Sequence, residues 1–295
     1  MQLSIYQRGL MIVILGVVLL SFDGLLVRLA DTDGFTIVFW RGFLMFCVLG
    51  LFALNGRRLA TLRLRPFASL VSATLLGMIS TLFVLAVVNA NVANVVVILS
   101  TAPLFAAIFS RVFLGERVAL RTLVAIALCM LGMWLVFLGE GAAGMLVGNL
   151  YALAAALAIG GNLTVLRRYP EIDRIIVIAG GGLLSAAIAW PLATPFALDA
   201  PRFGVLAVMG LVQMPLATVL INSATRYLPS TEVALFYLVE TALGTLWVWW
   251  WLGEEPSAST LAGGVMVITV LVVHAGLGLH RERQRLRLYP GVVGK

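Results

Sequence analysis

Asn94–Glu116 reads NVVVILSTAPLFAAIFSRVFLGE, and 138 residues later Glu232–Glu254 reads EVALFYLVETALGTLWVWWWLGE. The two stretches align without a gap. They share few identities but the same parts: a long apolar run, a closing Leu-Gly-Glu, and a second apolar run opening with Thr-Leu at Thr122/Leu123 and Thr260/Leu261. A fixed internal period marks a duplicated unit. Each run is broken at its middle, by Pro103 in the first copy and by Glu240-Thr241 in the second. Those breaks are where function is expected.

A helix that crosses a membrane needs about 20 mostly apolar residues. Counting outward from the quoted stretches gives ten such spans, at 9–29, 35–54, 67–88, 93–113, 119–138, 146–167, 173–193, 203–225, 231–251 and 258–279. With 62% hydrophobic and 11% charged residues, the chain cannot keep itself soluble around one core, and it reads as an integral membrane protein. The first run is too long for the core of a signal peptide and carries no small-residue cleavage pattern, so it is expected to stay as the first span. No linker is long enough for a soluble domain.

The charge pattern orients these spans. With the N-terminus in the cytoplasm, the cytoplasmic segments hold Arg8, Arg57, Arg58, Arg63, Arg65, Arg111, Arg117, Arg121, Arg167, Arg168, Arg174, Arg226, Arg281, Arg283, Arg285, Arg287 and Lys295, leaving only Arg28, Arg202 and the intrahelical Arg41 of 20 basic residues. Both termini are thus expected inside, together with residues 57–65, and residues 254–257 outside. Five spans per copy is an odd number, so the second copy must be inverted. Its charges agree: Arg111, Arg117 and Arg121 flank the first Leu-Gly-Glu, whereas Glu254 and Glu255 flank the second. Asp31 and Asp33 follow the first span, whereas Arg167, Arg168 and Arg174 follow its counterpart. In the first spans the offset is 139, pairing Gly9 with Gly148, Asp23 with Asn162 and Arg28 with Arg167. Inverted repeats are a recurring construction of secondary transporters, with the substrate site near the midplane between them.

Composition narrows the chemistry further. The balance of +7 invites a nucleic-acid partner, but Arg at helix ends accounts for it through orientation, and none is expected. Lys295 is the sole lysine, so a phosphate-loop or Schiff-base lysine has no candidate. His274, His280, Cys47 and Cys129 are scattered, and both cysteines lie inside apolar runs. No metal site, cofactor or enzymatic nucleophile–base set is expected from them, and buried structural thiols are the default.

At this point the residues carry a resemblance. Ten spans as two inverted five-span units, an Arg in the second span within Phe39-Trp40-Arg41, and Leu-Gly-Glu ending the fourth and ninth spans before a Gly-bearing span resemble the EamA-type branch of the drug/metabolite transporter superfamily. Within it the YddG-like amino-acid exporters are the first comparison. The resemblance implies a bacterial inner-membrane exporter of small metabolites, amino acids above all. A flippase for a lipid-linked sugar is the alternative within the superfamily; it would want basic groups for phosphate, and Arg41 is the only deep one. An intramembrane enzyme is a remote alternative.

Several residues could carry the chemistry. Asp23 and Arg41 each lie about six residues, roughly 9 Å, below the outer interface, so a tight hairpin puts them at one depth, as a structural clamp or as a gate. Glu240 sits near the midplane with no Arg or Lys expected at its depth. It reads as a substrate-amine or coupling-proton site, or as a neutral hydrogen-bonded acid. Pro103 frees a backbone carbonyl near Ser100, and Pro215 does the same in the eighth span. Ser80, Thr81, Ser100, Thr101, Asn162 and Gln213 fall at similar levels and, with Tyr237 and Glu240, are the candidate lining of a central cavity; interhelical hydrogen bonding is the alternative for each. Trp247, Trp249, Trp250 and Trp251 read as an interfacial belt. Gly160-Gly161 and Gly180-Gly181-Gly182 read as close-packing sites rather than phosphate loops, because no strand precedes them. The Arg281–Arg287 tail reads as an anchor on anionic lipid.

The expectation is an all-α membrane protein with residues 1–140 and 141–280 as the two repeats and 281–295 as a basic cytoplasmic tail. Its partners would be a small-molecule substrate and the lipid bilayer, with a monomer as the working state. Transport would proceed by alternating access between the halves.

Overall fold

The computed structural model describes residues 4–53, 58, 63–89, 95, 98–140, 146–253 and 258–288. Residues 254–257, Arg57, residues 59–62, Asn94 and residues 289–295 lie outside the described residues. The described chain contains no strand. Its elements are α1 (Ile5–Leu20), α2 (Asp23–Ala30), α3 (Gly34–Ala53), α4 (Pro66–Asn89), α5 (Ala102–Phe109), a π-helical turn (Ser110–Leu114), α6 (Leu120–Glu140), α7 (Leu146–Arg168), α8 (Arg174–Ala189), α9 (Ala200–Val208), a second π-helical turn (Met209–Gln213), α10 (Met214–Ala224), α11 (Ser230–Leu252) and α12 (Ala258–Leu288). Among the described residues, seven spans are long and apolar enough to cross a membrane: Ile5–Ala30, Gly34–Ala53, Pro66–Ala86, Leu146–Arg168, Ala200–Ala224, Ser230–Trp251 and Leu261–Arg281. Three shorter apolar helices, Ala102–Leu114, Leu120–Leu135 and Arg174–Ala189, accompany them.

Local sequence explains how the helices begin and end. Ser4 and Gln7 form a reciprocal cap on α1, each side chain accepting the other's backbone N–H at 3.2 and 2.9 Å. Pro103 falls in the first turn of a helix, where a missing N–H leaves no intrahelical bond unmade, whereas Pro215 sits inside the helical span Ala200–Ala224. Ahead of Pro103 the chain turns at Ser100-Thr101; ahead of Pro215 a π turn supplies the slack. Gly115 and Gly253, the glycines of the two Leu-Gly-Glu motifs, end their helices at φ +69° and +71°, left-handed values that favour a residue without Cβ. The helix α12 runs on to Leu288, so residues 281–288 of the expected tail continue the last span.

The most extensive packings join the two ends of the chain: α3 with α8, α4 with α7, α6 with α12, α4 with α8, and α1 with α10. Each pairs residues before 141 with residues after 145, so neither segment buries its apolar faces alone. Leu51, Phe52, Leu70, Leu131, Leu150, Val265 and Val272 stay exposed on the outside, an apolar exterior suited to lipid. Inside, small residues let backbones approach, as expected of the glycine runs. A Cβ on Gly182 would lie 2.7 Å from the Gly42 carbonyl oxygen, and one on Gly181 would lie 3.1 Å from the Ala73 carbonyl. Gly182→Ala is therefore expected to push α3 and α8 apart at a cost of about 1–3 kcal/mol, read as a lower unfolding midpoint of the detergent-solubilised protein.

The loop between α2 and α3 ties the ends of four helices. Asp31 takes Arg202 at 2.7 Å, Asp33 accepts the Thr36 backbone N–H at 2.9 Å as the cap of α3, and the Thr194 hydroxyl donates to Asp33 at 3.2 Å. Burial opposes the charge on Asp33, but hydrogen bonds from Thr36, Thr194 and the Phe35 amide outweigh it and hold the carboxyl below its usual range. A lowered folded-state value means stability that is present above the unfolded value, near pH 4, and lost as pH falls through the folded one. Asp33→Ala is expected to cost about 1 kcal/mol at neutral pH and less in acid, measurable as a pH-dependent difference in unfolding midpoint.

Candidate functional site

The first span is not continuous. After Leu20 the chain turns through Ser21 and Phe22 before α2 resumes at Asp23. The interruption frees carbonyls inside the bundle, and Gln213 covers two of them, its Nε2 donating to Leu19 at 3.1 Å and Leu20 at 3.5 Å. Ser21 donates to the Val18 carbonyl at 2.7 Å and accepts the Trp247 indole N–H at 2.8 Å. Phe22 stacks on Trp247 with centroids 4.7 Å apart and an interplanar angle of 13°. Trp247 thus differs from the belt expected of its neighbours: Trp250 and Trp251 are 79% and 68% exposed, while Trp247 turns inward to brace the break.

Beyond the break, Asp23 meets Arg41 of α3. The Arg41 Nη1 lies 3.1 and 3.3 Å from the two Asp23 oxygens, with side chains 2% and 5% exposed. Nη2 of Arg41 donates to the Ser80 hydroxyl at 2.8 Å, which brings in α4. Nε is buried and finds no acceptor among the described residues. Ion pairs this deep survive only when well paired, because removing either partner strands a charge in low dielectric.

Glu240 faces this pair from α11, about 15 Å along the helix from Ser230. It lies deep enough inside the bundle to feel the charges of both Asp23 and Arg41, and Tyr237, one turn earlier, feels the charge of Glu240. Arg41 is thus within electrostatic reach of Glu240. Its carboxylate makes no hydrogen bond and no ion pair among the described residues. Phe236, Leu238 and Ala242 around it are buried, whereas Tyr237 and Glu240 are only partly covered. The interior therefore holds two carboxylates, one guanidinium with a spare N–H, and a phenol.

The remaining candidates do not join that cluster as a single ring. Asn162 accepts from Ser72 at 2.7 Å and donates to Asn222 at 2.7 Å, and Asn222 in turn donates to the Thr218 carbonyl at 2.8 Å. This satisfied chain ties α4, α7 and α10 together about 9 Å from the Arg167-Arg168 end of α7, well away from Ser80. Thr81 and Thr101 bond backward to the Gly77 and Ile98 carbonyls at 3.0 and 2.6 Å, which occupies their hydroxyls locally. Ser100 is buried at the turn before Pro103. Of the uncharged set, Ser80 alone contacts Arg41; Gln213 serves the helix break. Ser21, Phe22 and Asn222 were not singled out by sequence reasoning, although a Ser-Phe-Asp interruption inside an apolar run was a readable signal for the first two.

A second polar cluster was also missed. Glu232, in the first turn of α11, accepts from the Tyr6 hydroxyl at 3.1 Å and from Arg121 at 3.0 Å, with His274 Nε2 at 3.7 Å. His274, which looks isolated in the sequence, is 3% exposed in this cluster. Nearby, Arg58 with Asp173 and Arg65 with Glu171 bridge the linkers at the same end of the bundle, at 3.1 and 3.0 Å.

Comparison with known proteins bears on this arrangement as a whole. The EamA-like transporter family matches the chain twice, over residues 7–138 and 146–275. The uncharacterized transporter YdfC of Bacillus subtilis is 26% identical over 188 residues, and the match spans 61% of this chain and 61% of that protein's length. The pseudopaline exporter CntI of Pseudomonas aeruginosa is 22% identical over 196 residues, 63% of this chain and 67% of that one. An uncharacterized transporter of Archaeoglobus fulgidus is 25% identical over 267 residues, covering 88% and 94%. A solved crystal structure superposes with a TM-score of 0.78 at 17% identity over 91% of this chain and 98% of its own, a likeness of fold.

Proposed function

We propose that this chain, which belongs to the EamA-like transporter family, exports small amphoteric metabolites, amino acids or molecules like them, across a bacterial inner membrane. Ten spans in two inverted halves, residues 1–140 and 141–280, would alternate access to the Asp23–Arg41–Glu240 interior, with both termini in the cytoplasm. The observation that carries this reading is the unpartnered Glu240 carboxylate opposite a buried Arg41 whose Nε has no acceptor. A molecule bearing one ammonium and one carboxylate supplies what each group lacks, whereas a simple ion serves only one of them. The interruptions of the first span at Ser21-Phe22 and of the fourth at Ser100-Thr101 agree, since discontinuous helices typically line such midplane sites. The similarity to the pseudopaline exporter CntI supports the outward direction.

Purified protein in proteoliposomes, screened with radiolabelled amino acids in counterflow, tests the substrate class. Exchange of at least one is the expected result, and exchange of none would sink it. Single-cysteine labelling at residue 257, in a background lacking Cys47 and Cys129, tests the inversion. Reaction with an impermeant maleimide on intact cells is expected; reaction only after permeabilisation would refute it.

A further inference from the structure

The Glu232 cluster lies where the two segments matched by the family meet. Arg121 and Tyr6 come from the first part of the chain, Glu232 and His274 from the second, so one buried carboxylate holds α1, α6, α11 and α12 together at their Arg-rich end. Arg121 spends only Nη2 on Glu232. Its Nε and Nη1 are buried and meet no acceptor among the described residues. Beside it opens a cavity of about 410 Å³ lined by Glu116, Arg117, Arg121, Thr122, Thr231 and Glu232. That volume lies within the range of small-molecule sites. Glu116 is already engaged by Arg167 at 3.2 Å, so the donors left at the cavity are the Thr122 and Thr231 hydroxyls, the Arg121 guanidinium and the exposed Arg117 at its rim.

We propose that this cavity is a loading site for a small carboxylate and that its occupancy loosens the junction between the two halves. A ligand carboxylate would draw the Arg121 guanidinium toward the cavity, give its two buried N–H groups an acceptor and so compete with Glu232 for it. Glu232 then keeps only Tyr6 and the more distant His274, and α6 is released from α11. A carboxylate-bearing substrate thereby weakens the contact that bars its own way inward. The proposal rests on the transporter reading but not on the central site, and it concerns binding rather than transport.

The test uses the full chain in detergent, with Cys47 and Cys129 replaced and Ala119→Cys introduced at the exposed wall of the cavity. The rate of maleimide modification is followed with sodium acetate as the probe, against sodium chloride and ethylammonium chloride. Acetate is expected to slow modification saturably, and the two chlorides are not. Arg121→Lys keeps a cation for Glu232 but lacks the spare donors, so acetate affinity should fall by about tenfold. Glu232→Gln removes the competitor, so acetate affinity should rise by a similar factor. A structural ion pair with no ligand role gives equal rates in all three salts, which overturns the proposal without any variant. Acetate protection that Glu232→Gln weakens or leaves unchanged overturns the competition. Amino-acid exchange in proteoliposomes would survive either failure, so the two readings fall separately.

Discussion

Arg41→Ala is expected to destabilise the protein by about 3–5 kcal/mol, the cost of stranding a buried charge, and by more than Asp23→Ala does. The asymmetry comes from Glu240. Removing Arg41 leaves Asp23 and Glu240 as two carboxylates within electrostatic reach of each other and no cation between them, whereas removing Asp23 leaves Arg41 with Glu240 still in range. The double change Asp23→Ala/Arg41→Ala should recover much of the loss, because a buried pair removed whole is often nearly neutral. Unfolding midpoints of the four proteins in detergent give the coupling. Additive effects would show that the 3.1 Å contact carries no energy, and equal effects of the two single changes would remove Glu240 from the cluster. Ser80→Ala should cost less than either, since it removes one donor–acceptor contact to Arg41 and leaves the charges paired.

Glu240→Gln is the second large effect. The substitution keeps shape and hydrogen-bonding capacity and removes the charge, so an ammonium-bearing substrate loses a contact worth roughly 1.5–3 kcal/mol. Affinity should fall by about 10- to 150-fold. If Glu240 carries a coupling proton instead, exchange of substrate persists while accumulation driven by a pH gradient disappears. Measuring exchange and pH-driven uptake on this one variant separates the two roles. Wild-type behaviour in both assays would take Glu240 out of the site and leave the Arg41 Nε and the Tyr237 hydroxyl as its polar groups.

The linear order of residues determined the class of molecule and the depth of its charges. Apolar runs of membrane-crossing length, separated by Arg-bearing linkers, admit only a helical membrane protein among the readings considered, because backbone polar groups in lipid must be satisfied within the segment. Depth follows from counting at 1.5 Å per residue, which is why Asp23 and Arg41 could be placed at one level before any contact was visible. Direction is another matter. Each residue turns a helix by about 100°, so a one-residue interruption reorients everything beyond it. The Ser21-Phe22 break and the π turns at Ser110–Leu114 and Met209–Gln213 shift the helical phase within their spans. For that reason similar depth did not give Asn162 and Gln213 the same partners: one bonds Ser72 and Asn222, the other the carbonyls of α1. The same holds for Glu232 and His274, 42 positions apart in the chain and 3.7 Å apart in space. Which charge meets which was decided by the packing of four helices, a long-range fact that no local pattern encodes.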